Sequence, residues 1–391
     1  MHLSNRILDL AGGGDAWAVY FAAREMKAAG EAVIELTVGE HDFPTPSAIL
    51  DAMAAAAQDG HTGYAEIPGV PALRQAVARR VTERTGVATG PENVLITPGG
   101  QAALFAAHTA VLDPGQTGLF IDPYYATYPG TIRATGAEPV AVAARPEDGF
   151  APRARALAAA ARKTGAKSLL INTPNNPTGA IYGRDVLEAI AGVCQAQDLW
   201  LISDEVYDTM IWDGQHLSPR ALPDMAERTL VVGSMSKSFA MTGSRVGWIV
   251  GPETTIAGLS NLAIHTTYGV PGYIQDAAVF ALRAGPALEA EVSAPFRRRR
   301  AQAQGQLARQ TLVKSIPAQG AMYLLLDIRA TGFSGLDFAR RLLEAERIAV
   351  MPGESFGAAA AGHVRVALTA ADDSIADALA RLIAFAGHCA G

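Results

Sequence analysis

The chain has 391 residues, 49% hydrophobic and 18% charged, with a formal net charge of −6. That length suits one large unit plus a smaller one, and the acidic balance argues against nucleic acid as the main partner. Two cysteines without pair or metal spacing, eight histidines without ligand spacing and no apolar run near the ~18 residues of a membrane helix argue against a disulfide scaffold, a metal centre and a spanning segment.

The first residues, Met1-His2-Leu3-Ser4-Asn5-Arg6, lack the apolar centre of a signal peptide, so a soluble cytoplasmic protein is expected. The N-terminal ~40 residues, with an Ala-rich helix and Gly12-Gly13-Gly14, are expected to pack on the C-terminal part. From about residue 94 to 251, short apolar runs alternate with helical patterns. Val94–Thr97 reads as a strand broken by Pro98-Gly99-Gly100, and Gln101 to Leu112 as the helix after it. Further strands are read at 117–121, 168–172, 199–202, 230–233 and 247–250, with a helix over 185–196. Continuous apolar strands separated by helices predict a mostly parallel sheet covered on both faces. Ligands of such sheets sit beyond the carboxyl ends of the strands.

The C-terminal part reads as a separate α+β unit, opening with an Ala/Arg/Gln-rich helical stretch over about 284–310. Arg297–Arg300 within it reads as a solvated helix face. Strands at 322–327, 348–353 and 364–368 and a helix over 335–346 follow. Cys194 is expected in the core and Cys389 on a loose terminus.

The most unusual residue is Lys237, in Gly233-Ser234-Met235-Ser236-Lys237-Ser238-Phe239, with Arg245 eight residues on. An amine that can condense with an aldehyde, beside groups that grip a phosphate, is what pyridoxal 5′-phosphate (PLP) requires. Asp204 directly follows an apolar strand, in Ser203-Asp204-Glu205-Val206-Tyr207. A carboxylate there can keep a pyridine nitrogen protonated, or cap a helix. Tyr207, three residues on, can reach the 3′-oxygen. Asn176 sits in the rigid turn Asn172-Thr173-Pro174-Asn175-Asn176-Pro177-Thr178-Gly179, which can aim its amide at the same oxygen. Gly99-Gly100-Gln101 opens a helix whose N–H groups can bind an anion. Ser234 and the Arg245 fork can complete a phosphate site. Tyr125 can cover the pyridine ring or belong to the core. Arg365 is a charge inside the apolar run His363–Leu368. It either snorkels at an edge or clamps a substrate α-carboxylate, worth about 2–5 kcal/mol.

With these motifs in hand, the chain resembles the fold-type I PLP enzymes, specifically the class I/II aminotransferases of the aspartate aminotransferase superfamily. The resemblance runs from Val38-Gly39-Glu40 to Arg365 and rests on the Asn-Pro-Thr-Gly turn, Asp204 with Tyr207, and Ser-x-Ser-Lys with Arg245. It implies an α/β fold: a large PLP-binding domain over 45–285 with a mostly parallel seven-stranded sheet, and a smaller α+β domain from 1–44 and 286–391. It implies Lys237 as the residue that binds the cofactor aldehyde and shuttles the proton. Asp204 then serves the ring nitrogen, Tyr207 and Asn176 the 3′-oxygen, and Tyr125 stacks. Gly100, Gln101, Ser234 and Arg245 become phosphate ligands. Tyr64, in His61-Thr62-Gly63-Tyr64, matches a tyrosine that reaches the neighbouring subunit's phosphate, which implies a homodimer with shared sites. Arg365 and Gly39 match the α-carboxylate contacts.

The chain departs from the family at Gly39-Glu40-His41-Asp42-Phe43, where Gly-Glu-Pro-Asp-Phe is common, and at Gly12–Trp17. Trp17 and Tyr20 would favour a bulky or apolar side chain, and Asp15 would repel a dicarboxylate. The expected activity is transfer of an amino group from an amino acid to a 2-oxo acid by a ping-pong mechanism. A PLP lyase cleaving a β-C–S bond would share every cofactor residue. A non-catalytic effector-sensing module is the remote alternative, and no DNA-binding segment is read on either side of the matching region.

Overall fold

The computed structural model describes residues 2–10 and 17–390. Gly12-Gly13-Gly14 and Asp15 lie outside them. The strands, in chain order, are β1 Ile34–Leu36, β2 Val94–Thr97, β3 Thr117–Asp122, β4 Glu138–Ala143, β5 Ser168–Asn172, β6 Trp200–Asp204, β7 Thr229–Ser234, β8 Gly247–Val250, β9 Lys314–Ser315, β10 Tyr323–Asp327, β11 Ile348–Pro352 and β12 His363–Ala367.

Seven of them form one sheet in the order β2-β8-β7-β6-β5-β3-β4. Every pairing is parallel except those of β8, which runs antiparallel to β2 and β7. Residues of β2, β5, β7 and β8 are buried throughout, as strands covered on both faces must be. Sequence reading missed β4. It is an edge strand, with Glu138 and Ala143 exposed and Pro139 inside it, and proline is tolerated only where no ladder partner needs its N–H.

The other five strands form a second sheet, β1-β11-β12-β10-β9. Here β1 pairs parallel with β11, so the N-terminal segment joins the C-terminal unit as expected. The helix Ala18–Ala28 buries Val19 and Ala23 in the same core as Phe338, Leu342 and Val350.

Two expectations are corrected. Arg297–Arg300, on the helix Pro286–Leu307, is a solvated face only in part: Arg297 and Arg298 are exposed, whereas Arg299 and Arg300 are not. Arg299 is 5% exposed and grips Asp42, Asp372 and the Leu368 carbonyl. Arg297 donates to the Ile211 carbonyl across the Trp212 ring, and Arg300 to the Ala318 carbonyl. A single sequence cannot reveal partners as distant along the chain as Asp42, 257 residues from Arg299. Cys389 is not on a loose end but inside the helix Asp372–Ala390, half-buried. Cys194 is buried, as read.

Candidate active site

The carboxyl ends of β2, β3, β5, β6 and β7 face one cavity of about 300 Å³. It is lined by Trp17, Gly39, Glu40, Gly100, Gln101, Tyr125, Tyr128, Asn176, Asp204, Tyr207, Ser234, Lys237, Arg245, Tyr323 and Arg365, among others. Trp17 lines the cavity while Tyr20 does not, and of the residues assigned in the sequence to the cofactor or the substrate carboxylate, all but one converge here. The exception is Tyr64, which is 91% exposed and packs edge-on against Tyr268 at 5.2 Å between ring centres.

Lys237 rides on the short helix Met235–Ser238, which begins where β7 ends. Ser234 caps it: the Ser236 N–H donates to Ser234 Oγ at 3.1 Å. Lys237 Nζ donates to the Gly39 carbonyl. Burial and the nearby Arg365 and Arg245 push its amine down to about 8, against the opposing pull of Glu40. Glu40 itself accepts from Thr242 Oγ1 at 2.9 Å.

Asp204 ends β6 and is 4% exposed. Tyr128 donates to its Oδ2 at 2.7 Å, and the Val206 N–H to its Oδ1 at 3.3 Å. Burial still holds its carboxyl up at about 6. Asn172 ends the neighbouring β5 in register with it and donates to the Asp204 carbonyl at 2.9 Å. The segment that follows is fixed by ion pairs. Asp208 and Glu289 are each bridged by both Arg80 and Arg84. Tyr207 thus hangs from a rigid loop, and its hydroxyl lies 2.9 Å from that of Tyr323.

The turn after β5 is held rigid by its own side chains and glycine. Asn175 Oδ1 accepts from the Thr178 hydroxyl at 2.7 Å, and Gly179 adopts φ 70°, where an added Cβ would meet the Gly320 carbonyl at 2.8 Å. Asn176 Oδ1 accepts from Arg365 at 2.7 Å, so its Nδ2 donor remains for the cavity.

Arg365, at the middle of β12, is buried between two rings. Tyr323 and Phe356 each lie 4.3 Å from its guanidinium carbon. One nitrogen donates to Asn176 and another to the Thr37 carbonyl. Among the described residues nothing accepts from its Nε.

On the opposite side, the helix Gly99–Val111 points its N-terminus at the cavity. Gly99 has φ 80°, and a Cβ on it would meet the Arg245 guanidinium at 2.5 Å, so only glycine lets the arginine lie against the helix start. Arg245 donates to the Thr242 carbonyl at 2.7 Å. The Gln101 side chain is tied to Thr131 and Thr127, which leaves its backbone N–H at the helix end. Tyr125 meets the ring of Tyr128 edge-on at 5.7 Å.

Sequence reading missed Tyr128, Tyr323 and Phe356. Tyr128 was in view, in Tyr124-Tyr125-Ala126-Thr127-Tyr128, but nothing in sequence ranks one tyrosine above another. Tyr323 and Phe356 act on Arg365 from other segments, and only folding brings them there.

Comparison with known proteins agrees with this geometry. The family model "Aminotransferase class I and II" matches residues 31–382. An arginine–pyruvate transaminase from Pseudomonas aeruginosa is 41% identical over 97% of this chain and 96% of its own. An aspartate/prephenate aminotransferase from Thermus thermophilus is 37% identical over 95% of both chains. The solved structure of the aspartate aminotransferase from Thermus thermophilus with maleate superposes with a TM-score of 0.92, at 35% identity, covering 98% of this chain and 100% of that one. These relatives are all aminotransferases, which disfavours the lyase alternative. The chain belongs to the class I and II aminotransferases and is a pyridoxal 5′-phosphate-dependent enzyme of amino-group transfer.

Proposed function

We propose that the cavity holds PLP and the substrate amino acid through the residues named from the sequence. One observation carries the assignment: a desolvated lysine amine, a buried carboxylate and an arginine Nε without a partner meet in one cavity. The donor set fits the cofactor's groups. Gly100, the Gln101 backbone, Ser234 and Arg245 suit a phosphate, and the Arg245 guanidinium lying against the helix start at Gly99 supports this. Asp204 suits a protonated ring nitrogen, Tyr207 and Asn176 Nδ2 suit the 3′-oxygen, and Tyr125 suits the ring face.

When bound, PLP supplies an aldehyde for the amine and an electron-accepting ring. The residues do the rest. Lys237, neutral above about pH 8, is the nucleophile toward the aldehyde. With the substrate bound, Lys237 Nζ would take the Cα proton and return it at C4′. Arg365 and the Gly39 backbone hold the α-carboxylate so that the Cα proton stays within reach of Nζ. Asp204 would hold the positive charge on the ring nitrogen, and Tyr128 and the Val206 N–H hold Asp204. A second amino-acid/oxo-acid pair runs the sequence backwards. One amino acid alone should release one equivalent of its 2-oxo acid per site and no ammonia. Ammonia with pyruvate would overturn transfer in favour of lysis.

For the donor, we propose an amino acid without a second carboxylate, with a bulky neutral or cationic side chain. Among the described lining residues the cations are Lys237, Arg245 and Arg365, and each already has a task. Glu40 adds a carboxylate and Trp17 an aromatic wall. The 41% identical relative is named for arginine and pyruvate. Turnover of arginine, phenylalanine and aspartate with pyruvate tests this, and a strong preference for aspartate would overturn it.

We further propose domain limits near residues 45 and 285 and a homodimer in the cytoplasm. The two separate sheets support the first. The exposed, mutually packed rings of Tyr64 and Tyr268 support the second, with Tyr64 reaching the partner's phosphate site. Among the described residues no helix is long and apolar enough to cross a membrane. A monomer in sedimentation at working concentration would rule out the shared site.

A further inference from the structure

Tyr323 opens β10 and is 3% exposed. It touches three of the groups proposed to act on cofactor and substrate. Its hydroxyl lies 2.9 Å from that of Tyr207, with the two rings edge-to-face at 5.8 Å. Its ring face lies under the Arg365 guanidinium, 4.3 Å from ring centre to carbon. Its hydroxyl also lies against Gly39, where any Cβ would collide with it. The Gly39 carbonyl in turn accepts from Lys237 Nζ.

A phenol has one proton to donate and lone pairs with which to accept. In the Tyr207–Tyr323 pair one hydroxyl donates and the other accepts. Were Tyr207 the donor, it would have no proton left for the cavity. The surroundings favour the other polarity. Arg365 is a cation on the face of the Tyr323 ring; it draws electron density from that ring and makes its hydroxyl the better donor. Tyr125, Tyr128 and Arg365 are the other titratable or charged groups acting on Tyr207, and none is hydrogen-bonded to its hydroxyl among the described residues. A hydroxyl that accepts one hydrogen bond becomes a stronger donor in the next.

We propose that Tyr323 is a positioning residue: its hydroxyl donates to Tyr207 Oη and so turns the Tyr207 proton toward the 3′-oxygen of the bound cofactor. The inference rests on the role proposed above for Tyr207. Because the same ring lies under Arg365, the groups for the substrate carboxylate and for the 3′-oxygen share one side chain.

The test is a spectroscopic pH titration of the holoenzyme, reading the visible absorbance of the lysine-bound cofactor. Tyr323→Phe keeps the ring under Arg365 and removes only the hydroxyl. The 3′-oxygen then loses donor strength, and the titration midpoint moves up by a few tenths of a pH unit. Tyr207→Phe moves it up at least as far, and adding Tyr323→Phe to Tyr207→Phe moves it no further. No shift, or a downward shift, in Tyr323→Phe beside an upward shift in Tyr207→Phe overturns the inference alone. A shift from Tyr323→Phe that persists in the Tyr207→Phe background also overturns it. No shift in Tyr207→Phe overturns the reading of Tyr207 itself. A packing role would lower the unfolding temperature and leave the midpoint where it was.

Discussion

Two charged side chains enter the same cavity from two different sheets, and they are held in opposite ways. Asp204 stands at the end of a parallel strand, and its carboxylate oxygens are fixed by a hydroxyl and a backbone N–H. Arg365 stands inside an antiparallel strand and is gripped over its faces by Tyr323 and Phe356. The first arrangement fixes a single carboxylate by its oxygens. The second fixes the plane of a guanidinium whose Nε has no partner among the described residues. On the roles proposed above, the first suits a permanent guest and the second a guest that comes and goes. The large sheet supplies direction by strand ends, and the small sheet supplies it by aromatic walls.

Lys237 stands between the two, so its removal breaks both at once. Lys237→Ala should lower kcat/KM by about 10⁴-fold or more, since on its proposed role it removes the nucleophile and the proton carrier together. In the cofactor-free wild type, the rate of PLP uptake should rise with pH around a midpoint near 8, because the amine must be neutral to attack. A midpoint above 10 would mean the amine is not desolvated as described. Asp204→Asn comes next and attacks the strand-end half alone. On its proposed role, the change removes one charge of a buried pair, worth about 3–5 kcal/mol, or roughly 10²–10⁴-fold in kcat. Substrate KM should move far less, and an equal loss in both would mean Asp204 also shapes the substrate side.

The two halves were not equally legible from sequence. Strand ends announce themselves: an apolar run stops, and Asp204 or Ser234 follows where a β-residue would. Six of the seven strands of the large sheet were read that way, β4 being lost to its edge position and Pro139. Arg365 was legible only as an anomaly, a charge in an apolar strand. Its walls were not legible, because Tyr323 and Phe356 lie in separate segments and look like ordinary core. The same blindness hid the partners of Arg299, since Asp42 lies 257 residues away. Spacing reports local geometry; contacts made by sheet pairing across the chain leave no local trace.

Arg365→Lys tests the aromatic grip. A lysine keeps the charge but offers no flat face to Tyr323 and Phe356 and no fork to a carboxylate. KM for the amino donor should rise by roughly 30-fold or more, taking the low end of about 2–5 kcal/mol, with kcat reduced less. A change confined to kcat would place Arg365 with the cofactor instead. Tyr128→Phe has a smaller effect on the other half. It removes a hydrogen bond to a carboxylate worth about 1.5–3 kcal/mol, roughly tenfold or more in kcat. Burial already holds the Asp204 carboxyl up at about 6, and the hydroxyl opposes that. Without it the carboxyl rises further, so the acid limb of kcat should move toward neutral pH. An unmoved limb would separate Tyr128 from Asp204.

The smallest effect is expected where the two sheets are joined. Asp122, at the end of β3, accepts the Ala359 N–H at 3.2 Å, and the Tyr124 N–H donates to the Phe356 carbonyl at 2.9 Å. The segment bearing Tyr125 is thereby tied to the one bearing Phe356. Burial pushes the Asp122 carboxyl up to about 6, from an ordinary value near 3.8. A carboxyl raised on folding is most compatible with the fold when protonated. Its contribution is therefore full below about pH 4 and lost as pH rises through 6. Asp122→Asn keeps an acceptor for the Ala359 N–H and carries no charge. At pH 8 it should unfold at a slightly higher temperature than the wild type, by on the order of 1 kcal/mol or roughly 2 °C, and the difference should shrink toward zero as pH falls to 4. A variant destabilised at every pH would mean that the ionised carboxylate, held by the backbone N–H groups of the facing loop, is itself the tie between the sheets.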